Sequence, residues 1–221
     1  MNTYEMIKND ATIKQLIKSS DESLKSIGFT EHSIAHVTLV MNRAVDILSK
    51  LGYDDKTIDM VKIASYMHDV GNAINRNQHS ISGGAFALQY LLSLGIPTAD
   101  CVIISSAIGC HDESSASPNN AIVSPIAAAL IIADKSDVRR SRVRKQNLFE
   151  FDSHDKVNYA AISSKLNVDV KHKKITLEIK LDKHYSDALS FYEIFISRMI
   201  YCRTAANYLK CNFELILNES E

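Results

Sequence analysis

The segment ASYMHDVGNAINRNQHS, residues 64 to 80, ends an apolar run with His68 and Asp69 side by side. It returns, past a turn rich in Gly and Asn, to His79. Imidazole nitrogens and carboxylate oxygens together are the donors that bind first-row transition metals. Three more residues of these types lie against apolar sequence. His36 sits near the buried edge of an amphipathic segment, His111 ends another, and Asp134 follows AALIIA, where an unpaired carboxylate would be costly. Singly, such residues are more often hydrogen-bonded core histidines, caps or ion-pair partners than ligands. As a set, four His and two Asp on successive helices suit a transition-metal site. Six ligands with a shared carboxylate can hold two ions and leave room for water.

Positioning that set requires helices, and the composition favours them. Seven Gly and three Pro in 221 residues argue against a turn-rich β architecture. Residues 11–27 carry Ile13, Leu16, Ile17, Leu24 and Ile27 at helical spacing and stop at Gly28. Residues 31–51 form the clearest amphipathic helix, with Val37, Met41, Ala44, Val45 and Leu48 in its stripe. Asp54 or Asp55 caps the next helix, which runs to about His68. Residues 80–94 read as helical up to Gly95-Ile96-Pro97, and Thr98 is placed as the cap of ADCVIISSAIGCH. SASPNNAIVSP reads as a loop whose Ser124-Pro125 opens IAAALIIADKSD as N-cap and first helical residue.

After Phe151 the pattern changes. KLNVDVKHKKITLEIKLD alternates like two strands joined by a turn around Lys171 to Lys174. SDALSFYEIFISRMIYCRTAANYL is a helix and CNFELILN a final strand. The expected architecture is therefore mainly α, with a helical bundle over residues 1–150. A small α/β appendage over residues 151–221, short antiparallel strands plus a helix, packs on it. The apolar FYEIFISRMI has more hydrophobic surface than a free appendage exposes, so it packs on the bundle or forms a homodimer contact.

Composition also excludes. A net charge of −1 gives no basic field, and VRRSRVRKQ lacks interleaved aromatics, which argues against nucleic acid as a partner. No apolar run reaches the roughly 18 residues that cross a bilayer. Cys101, Cys110, Cys202 and Cys211 form no Cys-x-x-Cys pair, which argues against structural zinc. The N-terminus has no apolar signal core, and a reduced, cytoplasmic protein with buried cysteines is expected.

HVTLVMNRAVDIL, ASYMHDVGN, QHSISGGAFAL, IGCHDE and LIIADKSDVRRSRVR resemble, in order and spacing, the motif segments of the HD-domain superfamily of metal-dependent phosphohydrolases. The likeness covers roughly residues 30 to 145. It implies an HD-domain helical bundle in which His36, His68, Asp69 and Asp134 bind a first ion. His79 and His111 match the extra histidines of the subset that binds a second, with Asp69 bridging. Iron or manganese is favoured; zinc, nickel and magnesium are alternatives. That subset includes dinucleoside polyphosphate hydrolases, cyclic-dinucleotide phosphodiesterases and a few di-iron oxygenases. His154-Asp155 is placed as a cap or surface pair, Asp112 beside the ligands rather than among them, and His32 behind His36 as a ligand candidate.

The resemblance implies hydrolysis of a phosphate ester or anhydride of a nucleotide or similar small phosphate compound by a metal-activated hydroxide. Asp69, Lys135 and Arg139 are the catalytic candidates, and Asn72, Asn75, Arg76, Lys135 and Arg139 the substrate-binding ones. Arg142 and Arg144 are read as a solvated face. Several phosphodiesterase branches carry Lys where this chain has Asn72, and Asn cannot act as a general acid. That departure, and the absence of a Gly-Tyr-Pro motif, weaken the cyclic-dinucleotide reading. Two alternatives stay open: a di-iron oxygenase on the same ligand set, and a non-catalytic, metal-stabilised ligand-sensing protein.

Overall fold

The computed structural model describes residues 3–113 and 122–220. The expected loop SASPNNAIVSP lies, up to residue 121, outside the described residues. Among the described residues the chain forms helices α1 Thr3–Asn9, α2 Ala11–Ser26, α3 Ile34–Lys50, α4 Asp55–Met67, α5 His79–Ser93, α6 Thr98–Gly109, α7 Pro125–Lys135, α8 Ser153–Ala160 and α9 Ala188–Tyr208. Strands β1 Ala161–Asp169, β2 Lys174–Asp182 and β3 Asn212–Ser220 complete it. The protein is mainly α with a small C-terminal sheet.

Side-chain caps set several helix starts. Asp54 Oδ1 accepts from Thr57 N at 2.8 Å, and Ser124 Oγ from Ala127 N at 3.1 Å with Pro125 at the first helical position. Two expected starts shift. Ser33 Oγ accepts from Ala35 N, so α3 begins at Ile34 and His32 precedes the helix. Thr98 is the first residue of α6 rather than its cap, because the Pro97 carbonyl already accepts from Asp100 and Cys101 N.

Helix α7 is apolar all round. Ile126 to Ala133 are each at most 1% exposed, as suits a helix surrounded by protein. It contacts α3, α4, α6 and α9 and carries Asp134 at its C-terminal end.

The sheet order is β1-β2-β3. Val168, Leu166 and Ser164 oppose Ile175, Leu177 and Ile179 in antiparallel register. The expectation of antiparallel strands fails at β3, which pairs with β2 in parallel, Ile175 opposite Phe213 and Leu177 opposite Leu215. Helix α9 is the reason: a crossover helix returns the chain to run in the same direction, which a tight hairpin cannot do. On β2, Ile175, Leu177, Ile179 and Leu181 are fully buried at period two. They belong to the same apolar cluster as the helical core. Phe191, Phe195, Met199 and Cys202 of α9 are buried, and α9 packs on α7. All four cysteines are free, with Cys101, Cys202 and Cys211 buried. Among the described residues, no helix is long and apolar enough to cross a membrane.

Candidate metal centre

The chain leaves α4 through His68 and Asp69 into a short 3-10 turn, Val70–Ala73, and re-enters a helix at His79. This turn must pass very close to α5. A Cβ on Gly71 would collide with the His79 carbonyl and lie 2.7 Å from Gly83 N. Only glycine allows that approach, and it brings His79 back beside Asp69.

Six donors converge. On one side, His36 Nε2 lies 3.3 Å from His68 Nε2, 3.3 Å from Asp134 Oδ1 and 3.6 Å from Asp69 Oδ2. On the other, His79 Nε2 lies 3.2 Å from His111 Nε2 and 3.5 Å from Asp69 Oδ1. Asp69 thus divides its two oxygens between two histidine pairs, with His68 Nε2 3.2 Å from Oδ2 and His111 Nε2 3.8 Å from Oδ1.

Three outer nitrogens have clear acceptors. His36 Nδ1 donates to Asp137 Oδ2, His68 Nδ1 to Ser65 O and His111 Nδ1 to Ile108 O, each at 2.7 Å, while His79 Nδ1 lies 3.2 Å from Arg76 O and 3.3 Å from Arg76 Nη1. A carbonyl or carboxylate oxygen can only accept, so Nδ1 of His36, His68 and His111 carries a proton and their Nε2 atoms face inward, where they can bind a metal. Two buried carboxylates among these ring nitrogens need positive charge beside them, from a metal ion or from a proton on His68. Asp69 Oδ2 is buried and receives no hydrogen bond from the described residues, a costly arrangement for a carboxylate without a cation. This donor set fits one or two divalent ions.

The electrostatics agree. Burial favours neutral carboxyls, yet His68 beside Asp69 and Lys135 beside Asp134 hold both well below the ordinary carboxylate range. Burial works against charge on His68, but the Asp69 and Asp134 carboxylates outweigh it and lift its pKa to about 9. Burial and the facing His111 hold His79 down at about 4. The Asp69–Asp134 side attracts positive charge, and His79 stays a neutral donor.

The cluster floors a cavity of about 190 Å³. Lys135 lines it, with Nζ 2.8 Å from Asp134 Oδ2 and 2.6 Å from Glu113 Oε2. Arg76 lines it too, its guanidinium 5.2 Å from the Phe29 ring centre. The other substrate-binding candidates do not. Asn72 is fully buried and donates to Asp69 Oδ1 at 2.9 Å, so it orients that carboxylate instead of meeting substrate. Asn75 is exposed and accepts from Asn77 N, which shapes the turn. Arg139 is drawn away by Asp137 Oδ1 at 2.7 Å and Glu31 Oε2 at 3.0 Å. Arg142 is no solvated residue: it is buried and donates to Glu31 O and Asp137 O, each at 2.9 Å. Arg144 pairs with Asp21.

His32 stays outside the cluster, with Nδ1 on Thr30 O at 2.7 Å. Asp112 is buried with Oδ2 3.6 Å from His79 Nε2. Asp155 completes a capping box with Asp152, and His154 is exposed at the cavity rim.

No family model matches the chain. It is 24% identical over 98 residues to Uncharacterized protein MJ1020 of Methanocaldococcus jannaschii, a match spanning 38% of this chain and 38% of that protein. Among solved structures it is similar to a predicted HD superfamily hydrolase from an uncultured Thermotogales bacterium. That likeness has 23% identity and a TM-score of 0.45, and covers 63% of this chain and 75% of the other.

Four residues of the site went unnoticed in the sequence. Asp137 stands three residues after Asp134, a spacing that returns to the same side of a helix end and gave the one available signal. Glu113 follows His111-Asp112 without any pattern of its own. Phe195 and Arg198 reach the cavity from α9, more than fifty residues beyond Asp134, where no local signal exists.

Proposed function

We propose that the protein is a metal-dependent hydrolase acting on a phosphate ester or anhydride of a nucleotide or similar small phosphate compound. The observation that carries this reading is the division of Asp69 between two pairs of inward-facing imidazoles. His36, His68, Asp134 and Asp69 Oδ2 would hold one divalent ion, and His79, His111 and Asp69 Oδ1 a second; iron or manganese is favoured, with zinc, nickel or magnesium as alternatives. When bound, such ions acidify water and neutralise phosphoryl charge.

The chain's own residues orient the ligands and shape the field. Asn72 holds Asp69, and Asp137 holds His36. Burial opposes charge on Lys135, but Asp134 and Glu113 outweigh it and push its pKa upward, so it remains a fixed cation and does not release its proton near neutrality. Asn72 has no proton to give as an acid. With neither group able to protonate a leaving group, the site is suited to leaving groups stable as anions, as in a phosphoanhydride.

The test begins with metal content per chain, on protein purified without chelator and with oxygen excluded, followed by phosphatase and phosphodiesterase panels. About two equivalents and hydrolysis abolished by Asp69→Asn support the reading. Substrate-dependent oxygen consumption without hydrolysis would transfer the site to di-iron oxygenase chemistry. Failure to bind any metal after reconstitution would leave a ligand-binding protein.

A further inference from the structure

Four arginines and lysines line the cavity among the described residues, and three are committed to the protein. Arg142 donates to two backbone carbonyls. Lys135 lies between Asp134 and Glu113. Arg76 gives Nη1 to Asn72 Oδ1 at 3.3 Å and has Nη2 3.8 Å from Asp112 Oδ2.

Arg198 of α9 is different. Its Nε donates to Glu113 Oε1 at 2.8 Å, and its guanidinium carbon lies 4.8 Å from the Phe195 ring centre. Its two terminal amino groups make no hydrogen bond to the described residues, while the side chain lines the cavity and is 28% exposed. The guanidinium is held in place from the metal centre outward. Asp134 Oδ2 meets Lys135 Nζ at 2.8 Å, Lys135 meets Glu113 Oε2 at 2.6 Å, and the other Glu113 oxygen takes Arg198 Nε. Charges alternate along this chain, so Arg198 is fixed without leaving excess positive charge in a half-buried wall.

We propose that Arg198 binds a phosphoryl group of the substrate through the two amino groups that make no hydrogen bond to the described residues, so that α9 supplies an anion clamp for a site whose candidate metal ligands all come from earlier in the chain. A planar guanidinium matches two phosphoryl oxygens at once; an ammonium cannot. Phe195 and Glu113 preset its plane and reduce the ordering cost on binding. The inference rests on the cavity being the substrate site of the proposed hydrolase.

Inorganic phosphate is the probe. Its affinity for the metal-loaded full chain would be measured by calorimetry for wild type, Arg198→Ala and Arg198→Lys, alongside metal content and circular dichroism. Arg198→Ala is expected to weaken phosphate at least about tenfold with metal content unchanged, and Arg198→Lys to recover only part of the loss. Phosphate affinity within about twofold of wild type in a folded, metal-loaded Arg198→Ala overturns the clamp. If that variant does not fold, Arg198→Lys decides, and unchanged affinity overturns the proposal. Absence of phosphate binding by loaded wild type overturns it as well. Phosphate binding that depends on Arg198, in a protein that hydrolyses no phosphate compound, supports the clamp and sinks the hydrolase reading alone.

Discussion

His36 Nδ1 donates to the buried carboxylate of Asp137 at 2.7 Å, and this one bond turns the His36 Nε2 lone pair toward Asp134 and His68. Burial pulls the Asp137 pKa up, but Arg142 and His36 hold it below the ordinary range, so the acceptor is ionised. Asp137→Asn, which can donate from its amide and favour the wrong His36 tautomer, is expected to weaken metal binding roughly 10- to 100-fold. Competition against a chromophoric chelator reads the change; unaltered affinity would remove Asp137 from the site.

Metal removal should be felt as stability. Without a metal ion, only a proton on His68 offsets the Asp69 and Asp134 carboxylates in a buried space. Free metal at a hundredfold excess over Kd stabilises by about 2.7 kcal/mol, and a chelator should lower Tm accordingly. His79→Ala or His111→Ala should lose about one metal equivalent of two, whereas His32→Ala should lose none. Equal loss in all three would overturn the division of ligands.

Gly71→Ala is expected to disable the site without touching a ligand. The added methyl would strike the His79 carbonyl and approach Gly83 N at 2.7 Å, so α5 must shift and carry His79 away from Asp69. Loss of the His79-side metal with helical content retained is the expected result, read by metal analysis and circular dichroism.

Two substitutions on α7 separate packing from capping. Leu130 is fully buried, and Leu130→Ala should cost about 2–5 kcal/mol. Ser124 caps the same helix, and Ser124→Ala should cost about 1 kcal/mol. Urea unfolding measures both; the reverse order would contradict the central position of α7.

Alkaline pH should loosen the contact between Tyr90 of α5 and Asp10, the cap of α2. Burial and a hydrogen bond to Asp10 raise the Tyr90 pKa from 10.0 to about 12. A pKa raised in the folded state favours the protonated form there, so this stabilisation is complete below the unfolded value and fades as pH climbs toward the folded one. Wild type should lose stability between those values, and Tyr90→Phe should show a shallower decline in urea titrations across that range.

Much of this was written in local pattern. Helical periodicity, Gly28, Gly52 and Gly95 at positive φ, and the Asp54 and Ser124 caps are properties of a few adjacent residues, and they located the helices. Three histidines and two aspartates, His36, His68, Asp69, His111 and Asp134, were visible because each stands against apolar sequence, where a polar donor needs a partner, and His79 by its place just past the turn that follows His68-Asp69. What the cavity walls do was not visible. Arg139 and Arg142 belong to one basic run, yet Asp137 and Glu31 draw Arg139 away from the cavity and bury Arg142 in its wall. Arg198 joins the site only because α9 packs on α7 and Glu113 reaches across to it. The parallel pairing of β3 likewise depends on where α9 returns the chain. Local sequence determined the elements and the donors, since period, cap and turn act over one helical turn. Tertiary packing alone decided which charges meet, because an ion pair depends on distance in space and not on separation along the chain.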